Sequence, residues 1–163
     1  MDASRTPSPP SERARPAGLV ADLASRGFRA SLQDALALVG DRWALPIVVV
    51  LAPGPARFNE LSDAVAPIAP NILTTRLRQL ELGGVIVARP YSRRPVRMLY
   101  ELTPAGAELI AIAGGLASWA ARRTGRPAPV AHGACGGPLM AGWFCPTCGE
   151  PVTDPGADAT ELV

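Results

Sequence analysis

Several features are missing from this 163-residue chain, and their absence excludes whole classes of protein. It has no run of about 18 apolar residues, so no segment is expected to cross a membrane. The N-terminal residues are rich in Ser, Pro and Arg and include no apolar block, so no secretory signal is expected either. We therefore expect a cytoplasmic protein with no membrane partner.

The groups that carry most enzyme chemistry are also scarce. The chain has one histidine and three cysteines, and it lacks both a Gly-rich phosphate loop and a pair of carboxylates at helical spacing on one face. Lysine is absent, so every basic residue is an arginine. We therefore expect that the protein is not an enzyme.

The histidine and all three cysteines lie near the C-terminus, as His132-x2-Cys135 and Cys145-x2-Cys148. Two tight pairs of imidazole and thiolate ligands are typical of a tetrahedral zinc ribbon, because each short turn aims two side chains at one point. Four protein ligands leave no coordination position open for water, so the pattern predicts Zn²⁺ in a structural role. The alternatives are a thioredoxin-like redox pair at Cys145 and Cys148, or a disulfide with one thiol left over.

Positive charge is concentrated in the middle of the chain. Residues 68–97 contain six arginines and a single acidic residue, Glu81, whereas the C-terminal end is acidic. A local basic block of this kind indicates a polyanionic partner.

Composition also divides the chain into regions. Residues 1–17 hold almost no large apolar side chains, so we expect a disordered tail there. Residues 18–124 are predicted to form the main domain, and 125–153 a linker with the zinc ribbon. Residues 154–163 are expected to be a disordered acidic tail.

Hydrophobic periodicity predicts a mainly helical α+β fold. The predicted helices run from a cap at Ser31 to Val39, from about Asp41 to Leu51, from Arg57 to near Ala66, from about Asn71 to Leu82, and onward from Thr103-Pro104. The predicted strands are Val85 to Tyr91 and Arg97 to Thr103, joined by a basic turn over Ser92 to Pro95. The helix ending at Leu51 is apolar nearly all round, so we expect it to be central.

This order of elements is that of a winged helix-turn-helix domain, in which the second helix of the turn enters the DNA major groove. In the fourth predicted helix, Asn71, Thr74, Thr75 and Arg78 fall opposite the leucines. Their short polar groups and one guanidinium suit base edges and phosphates, and a merely solvated helix face is the alternative.

The remaining arginines of the basic block have different expected roles. Arg76 lies closer to the leucine face, which predicts an ion pair inside the domain with an acid such as Glu60 or Asp63. Arg93 and Arg94, just before Pro95, are predicted to lie along DNA phosphates or in a minor groove. A simple soluble turn is the alternative for that pair.

Residues 30–120 resemble the HxlR family of bacterial winged-helix regulators, which are relatives of the MarR group. The matching segments are LALVGDRW at 36–43, RFNEL at 57–61, ILTTRL at 72–77 with Leu80-Glu81, Tyr91 through Pro95 to Tyr100, LTPAG at 102–106, and Trp119. The resemblance implies a DNA-binding transcription regulator that acts as a dimer, with the N-terminal helix and the long final helix making the subunit contact.

Matching positions also imply roles for individual residues. Contacts to double-stranded DNA would come from Asn71, Thr74, Thr75 and Arg78 of the recognition helix and from Arg93, Arg94 and Arg97 of the wing. MarR-like relatives bind small-molecule effectors near the dimer seam, and this sequence identifies no ligand.

The chain departs from the family in two places. Many relatives carry a cysteine at the start of the first core helix, used in some as a sensor, but Ala30-Ser31 stands there in this chain. Thiol sensing through that position is therefore not expected. The zinc ribbon lies beyond the family's core domain, so the resemblance does not assign it a role.

Together these features lead us to expect a sequence-specific transcriptional regulator that binds DNA as a homodimer and carries a structural zinc site. The alternative is a protein-interaction adaptor whose zinc ribbon docks a partner such as RNA polymerase.

Overall fold

The computed structural model describes residues 25–139, 142–144, 146, 147, 149, 151 and 152. The described residues from Ser31 onward form one compact unit, and residues 25–30 belong to a second. The disordered tails predicted at 1–17 and 154–163 lie outside the described residues.

The described part contains the five predicted helices and the two strands of the predicted hairpin in the predicted order, together with three strands of two residues each. The elements are α1 (Arg26–Val39), α2 (Ala44–Leu51), β1 (Ala56–Arg57), α3 (Phe58–Ala64), α4 (Pro70–Leu82), β2 (Ile86–Arg93), β3 (Val96–Leu102), α5 (Pro104–Thr124), β4 (Trp143–Phe144) and β5 (Pro151–Val152). Among these helices none is both long enough and apolar enough to cross a bilayer. The winged helix-turn-helix α+β fold expected from the sequence is confirmed for this part of the chain.

Helix α2 supplies the centre of the hydrophobic core, as its apolar composition predicted. Ala44, Ile47 and Val48 are fully buried, and Leu51 is nearly so. They form one cluster with buried side chains from α3, α4 and the start of β2. Each large aliphatic side chain buried in this way stabilises the fold by roughly 1.5–3 kcal/mol, so this cluster holds the surrounding elements in place.

Helices α3 and α4 form the helix-turn-helix around a shared apolar contact. Leu61 of α3 and Leu73 of α4 are fully buried. Val65 and Ile68, which lie in the connection between the two helices, are buried as well. Because the connection is anchored in the core at two points, core packing sets the orientation of α4.

The sheet has the strand order β1-β3-β2, and each neighbouring pair is antiparallel. Strand β1 was not predicted, because two residues are too few to show an alternating pattern. It pairs Ala56 with Tyr100 and Arg57 with Leu99. As a result β3 is the central strand, and the start of α3 lies beside the hairpin.

Several predicted boundaries were wrong by a few residues. Helix α1 begins at Arg26 rather than at Ser31, and it is the Ser25 Oγ that accepts a hydrogen bond from the Phe28 amide, at 3.1 Å. Helix α2 begins at Ala44, because the Asp41 side chain accepts from the Trp43 amide at 2.7 Å and forms a turn before it. The β2–β3 connection is shorter than predicted and consists of residues 94 and 95.

Thr103 joins the hairpin to α5 and caps that helix, as predicted. Its Oγ1 accepts from the Gly106 amide at 3.0 Å and donates to the Gly84 carbonyl at 2.6 Å. Its amide donates to the Val85 carbonyl at 3.0 Å. The first turn of α5 is thereby held against the start of β2, and Gly106 is buried where the two meet.

Replacing Gly106 with alanine is expected to destabilise the domain, because the new Cβ would overlap the Val85 carbonyl oxygen. The loss should be about 1–3 kcal/mol in the free energy of unfolding, measured by urea denaturation. Gly114→Ala in the same helix is the control, since the nearest atom to its new Cβ would be Val130 Cγ2 at 3.8 Å. That variant should be unchanged or gain up to about 1 kcal/mol from helix propensity. Equal stabilities of the two variants would contradict the close approach of α5 to β2.

Candidate nucleic-acid interface

Helix α4 presents a polar face on the side opposite its buried leucines. Leu73, Leu77 and Leu80 are at most 2% exposed. The four predicted recognition residues, Asn71, Thr74, Thr75 and Arg78, are all exposed. The structure therefore brings these four side chains together on one accessible helix face, as the helical wheel predicted, and their role in binding DNA stays a prediction.

The two threonines of this face already use their hydroxyl protons. Thr74 Oγ1 donates to the Pro70 carbonyl at 2.8 Å, and Thr75 Oγ1 donates to the Asn71 carbonyl at 2.9 Å. Their oxygens can still accept hydrogen bonds, and their methyl groups can make apolar contacts. In the described part of the chain, the donors left on this face are the Asn71 amide group and the Arg78 guanidinium.

Arg76 points away from this face and forms an ion pair inside the domain. Its Nη1 lies 3.2 Å from Asp41 Oδ2 and 2.6 Å from Gln79 Oε1. The predicted ion pair is confirmed, but the suggested partners Glu60 and Asp63 were wrong. The carboxylate of Glu60 instead accepts from the Arg57 amide at 2.6 Å, and Asp41 lies in the turn that leads into the central helix. Arg76 thus ties α4 to the segment before α2.

The hairpin β2–β3, called the wing below, carries exposed arginines at its tip and along β3. Arg94 lies in the connection and Arg97 in β3, and both side chains are exposed. Arg93 is the last residue of β2 and pairs with Val96. Arg89, nearer the base, lies 3.5 Å from Glu101 and is partly neutralised by it. The unpaired positive charge in the described part of the wing is therefore near its tip.

Beside the wing lies a groove that the sequence pattern does not predict. Its volume is about 520 Å³, and its walls come from the β1–α3 junction and from both wing strands. The lining residues are Arg57, Phe58, Asn59, Glu60, Tyr91, Val96, Arg97, Met98 and Tyr100. Burial raises the pKa of the Tyr100 phenol, and the charge of Glu81 raises it further. That phenol therefore keeps its proton at neutral pH. Arg57 is the residue that could have indicated the groove. Its position in the sequence, however, indicates only the start of a helix.

Two of the four predicted zinc ligands lie in the described part of the chain. His132 Nδ1 is 3.3 Å from Cys135 Sγ, close to the separation of about 3.5 Å expected for nitrogen and sulfur ligands on one tetrahedral Zn²⁺. The His132 amide donates to the Gly137 carbonyl at 2.8 Å, and the Leu139 amide donates to the Val130 carbonyl at 3.0 Å. These bonds close a small hairpin with the two predicted ligands near its tip.

The other two predicted ligands, Cys145 and Cys148, lie outside the described residues. The strands on either side of them, β4 and β5, pair antiparallel, with Trp143 opposite Val152. Gly149 follows Cys148 with φ 75°, and Gly136 follows Cys135 with φ 69°. Within the described residues, no group of three or more metal-binding side chains occurs. The donor set of imidazole and thiolate nevertheless fits Zn²⁺.

Comparison with known proteins points to one family. Residues 38–127 match the model of the HxlR-like helix-turn-helix family. The uncharacterized HTH-type transcriptional regulator Rv3095 of Mycobacterium tuberculosis is 36% identical over 138 residues, covering 82% of this chain and 87% of that protein. The HTH-type transcriptional regulator YodB of Bacillus subtilis is 33% identical over 89 residues, covering 55% of this chain and 80% of YodB.

Solved structures show the same likeness. The crystal structure of YtcD, an uncharacterized HTH-type transcriptional regulator of Bacillus subtilis, aligns with a TM-score of 0.54 at 33% identity. The alignment covers 58% of this chain and 97% of that chain.

The Arg76–Asp41 pair is expected to stabilise the domain by about 1 kcal/mol, because both side chains are partly buried, at 31% and 20% exposed. A double-mutant cycle with Arg76→Ala and Asp41→Ala measures this coupling in the free energy of unfolding. The control cycle uses Arg89→Ala and Glu101→Ala, whose side chains are 70% and 44% exposed. It should give about 0–0.5 kcal/mol. A coupling at Arg76 no larger than in the control would show that this pair does not hold α4.

Proposed function

The chain belongs to the HxlR-like helix-turn-helix family, and on this basis we propose that it is a sequence-specific DNA-binding transcriptional regulator that acts as a homodimer. The observation that carries the proposal is the exposed face of α4, with Asn71, Thr74, Thr75 and Arg78 on one side and the buried leucines on the other. A helix fixed by its apolar side and polar on its free side can be inserted into a major groove as a rigid body.

The chemistry of this face favours base recognition. The Arg78 guanidinium can donate to guanine N7 and O6, and the Asn71 amide can pair with the edge of adenine. Thr74 and Thr75, whose hydroxyl protons are used within the helix, offer acceptor oxygens to base amino groups and methyl groups to thymine. The face therefore combines directional donors with apolar contacts, which is the combination that distinguishes base pairs.

The wing supplies contacts that do not depend on sequence. Arg93, Arg94 and Arg97 lie on one hairpin, and the exposed Arg94 and Arg97 add positive charge at the end that projects from the sheet. Arginines in this position neutralise phosphates and fix the register of the recognition helix on the duplex.

The proposed homodimer is supported by apolar side chains that the single chain leaves exposed. Ile112, Leu116 and Trp119 of α5 are 55%, 51% and 55% exposed, and they recur at helical spacing on one face. Leu32 and Leu36 of α1 are exposed in the same way. A second copy of the chain would cover this surface, and two recognition helices would then reach half-sites roughly 34–36 Å apart.

A structural zinc site completes the proposal. His132 and Cys135 would supply one pair of ligands from their hairpin, and Cys145 and Cys148 the second pair from the segment between β4 and β5. The positive φ of Gly136 and of Gly149 supports this, because each glycine directly follows the second ligand of a pair. So small a module has little core of its own, and the bound metal would supply the folding free energy.

The DNA-binding proposal is tested by selecting duplexes from a random library and measuring the salt dependence of binding. The wild-type protein should prefer selected over mixed-sequence DNA at physiological salt. In a plot of the logarithm of the binding constant against the logarithm of the salt concentration, Arg93→Ala with Arg94→Ala should make the slope less steep. The change should be about 0.9 for each phosphate that is no longer neutralised. Arg29→Ala with Arg126→Ala, which removes the same charge outside α4 and the wing, should leave the slope unchanged.

Two outcomes would contradict parts of this proposal. An unchanged slope in the wing variant would remove the wing from the interface. A protein that shows no duplex preference but retains a protein partner would favour the adaptor function instead.

The zinc proposal predicts about one tightly bound zinc ion per chain, measured by mass spectrometry of the purified protein. Cys135→Ser should lose most of the metal, because a hydroxyl is a poor ligand for Zn²⁺. Ala134→Ser, which adds a hydroxyl to the same turn without touching a ligand, is the control and should retain the metal. A wild-type protein purified without zinc, or a Cys135→Ser variant with unchanged content, would contradict the site.

A further inference from the structure

The groove beside the wing is not explained by the contacts assigned to α4 and the wing tip. We call it the wing groove; it lies between the β1–α3 junction and the wing strands and holds about 520 Å³. Of the residues that line it, Arg97 alone belongs to the predicted DNA contacts. Arg57, Asn59 and Tyr91 are polar lining residues with no role so far.

The groove forms where β1 ends. Strand β1 pairs with Leu99 and Tyr100 of β3 and stops at Arg57, after which the chain turns into α3. The preceding part of β3, from Val96 to Met98, pairs with β2 on its other side and lines the groove. One wall of the groove is thus the outer part of the wing, and the other is the first turn of α3. A ligand that fills the groove would touch both the wing and the start of α3.

A bulge in β2 brings an aromatic ring to the groove. The strand register shifts between Pro90 and Ser92, which leaves Tyr91 out of the regular pairing. Bulges commonly redirect a side chain, and here the Tyr91 ring lies 5.0 Å from the Arg57 guanidinium carbon. Stacking of this kind orients a guanidinium without neutralising its charge. Arg57 is therefore held at the groove as a preoriented cation.

The charges around the groove favour an anion. Arg57 and Arg97 are both exposed and positive. Glu60 is the acidic residue among the lining residues, and its carboxylate accepts from the Arg57 backbone amide at 2.6 Å. Asn59 adds an exposed amide group that can donate to an oxygen. Two guanidinium groups and an amide around an open groove are the donors that bind phosphate oxygens.

We propose that the wing groove binds the sugar–phosphate backbone of duplex DNA, with Arg57 and Arg97 as the phosphate-binding residues and Tyr91 as the residue that positions Arg57. The proposal rests on the DNA-binding function proposed above and adds a contact outside both the recognition helix and the wing tip. An extended backbone is favoured over a small free anion because the groove is open and its outer wall is continuous with the exposed Arg94.

The test measures binding of a fluorescent mixed-sequence duplex at a series of NaCl concentrations, since phosphate contacts do not depend on sequence. Arg57→Gln should lower the log–log salt slope by about 0.9, the value expected when one phosphate is no longer neutralised. Arg57→Lys keeps the charge and should retain the wild-type slope. Tyr91→Ala should weaken binding with a smaller change of slope, whereas Tyr91→Phe keeps the ring and should bind like the wild type. Circular dichroism and thermal unfolding confirm that each variant is folded.

The ways in which the proposal can fail are distinguishable. If the wild type binds duplex DNA and a folded Arg57→Gln variant keeps its slope, the wing-groove contact is overturned and the DNA-binding function stands. If Arg57→Gln fails to fold, Tyr91→Ala decides in the same assay with Tyr91→Phe as its control, because Arg97 is already assigned to the wing contacts. Unchanged binding by Tyr91→Ala then overturns the contact. If the wild type does not bind duplex DNA at all, both proposals fall. Inorganic phosphate that competes with DNA only for proteins carrying Arg57 supports the same phosphate chemistry.

Discussion

The burial of one row of leucines decides how the DNA-binding domain is arranged. Leu73, Leu77 and Leu80 of α4 pack into the cluster built around α2, and this packing fixes the rotation of α4 about its own axis. Because side chains opposite a buried row must point outward, the polar face of α4 is exposed as a consequence of core packing. The same cluster anchors both ends of the turn that precedes the helix.

Around this core, the polar groups fall into those used to build the domain and those left for a ligand. Arg76 is turned to Asp41, the Glu60 carboxylate accepts from the Arg57 amide, and the hydroxyls of Thr74 and Thr75 donate to helix carbonyls. The guanidinium groups of Arg57, Arg78 and Arg97 and the side-chain amide of Asn71 are not used in this way in the described residues. The groove beside the wing is therefore lined by two arginines against one glutamate, although the whole chain carries a formal charge of only +2.

The C-terminal module follows a different principle from the rest of the chain. The winged-helix domain is held by apolar packing, whereas the described part of the module consists of short hairpins in which the predicted ligands His132 and Cys135 are exposed. A unit of about 30 residues is in general too small to fold on apolar packing alone. The metal proposed there would stabilise this small unit in a structural role.

The sequence by itself determined the order of the elements, the central position of α2 and the two faces of α4, because each follows from the spacing of apolar residues along a local segment. From short-range spacing alone it also predicts the ligand pairs at His132-x2-Cys135 and Cys145-x2-Cys148. Only the tertiary structure decided which partner Arg76 takes, where the two-residue strand β1 lies, and that Tyr91 meets Arg57. These are contacts between residues far apart in the chain or set by a bulge, and local periodicity carries no information about them.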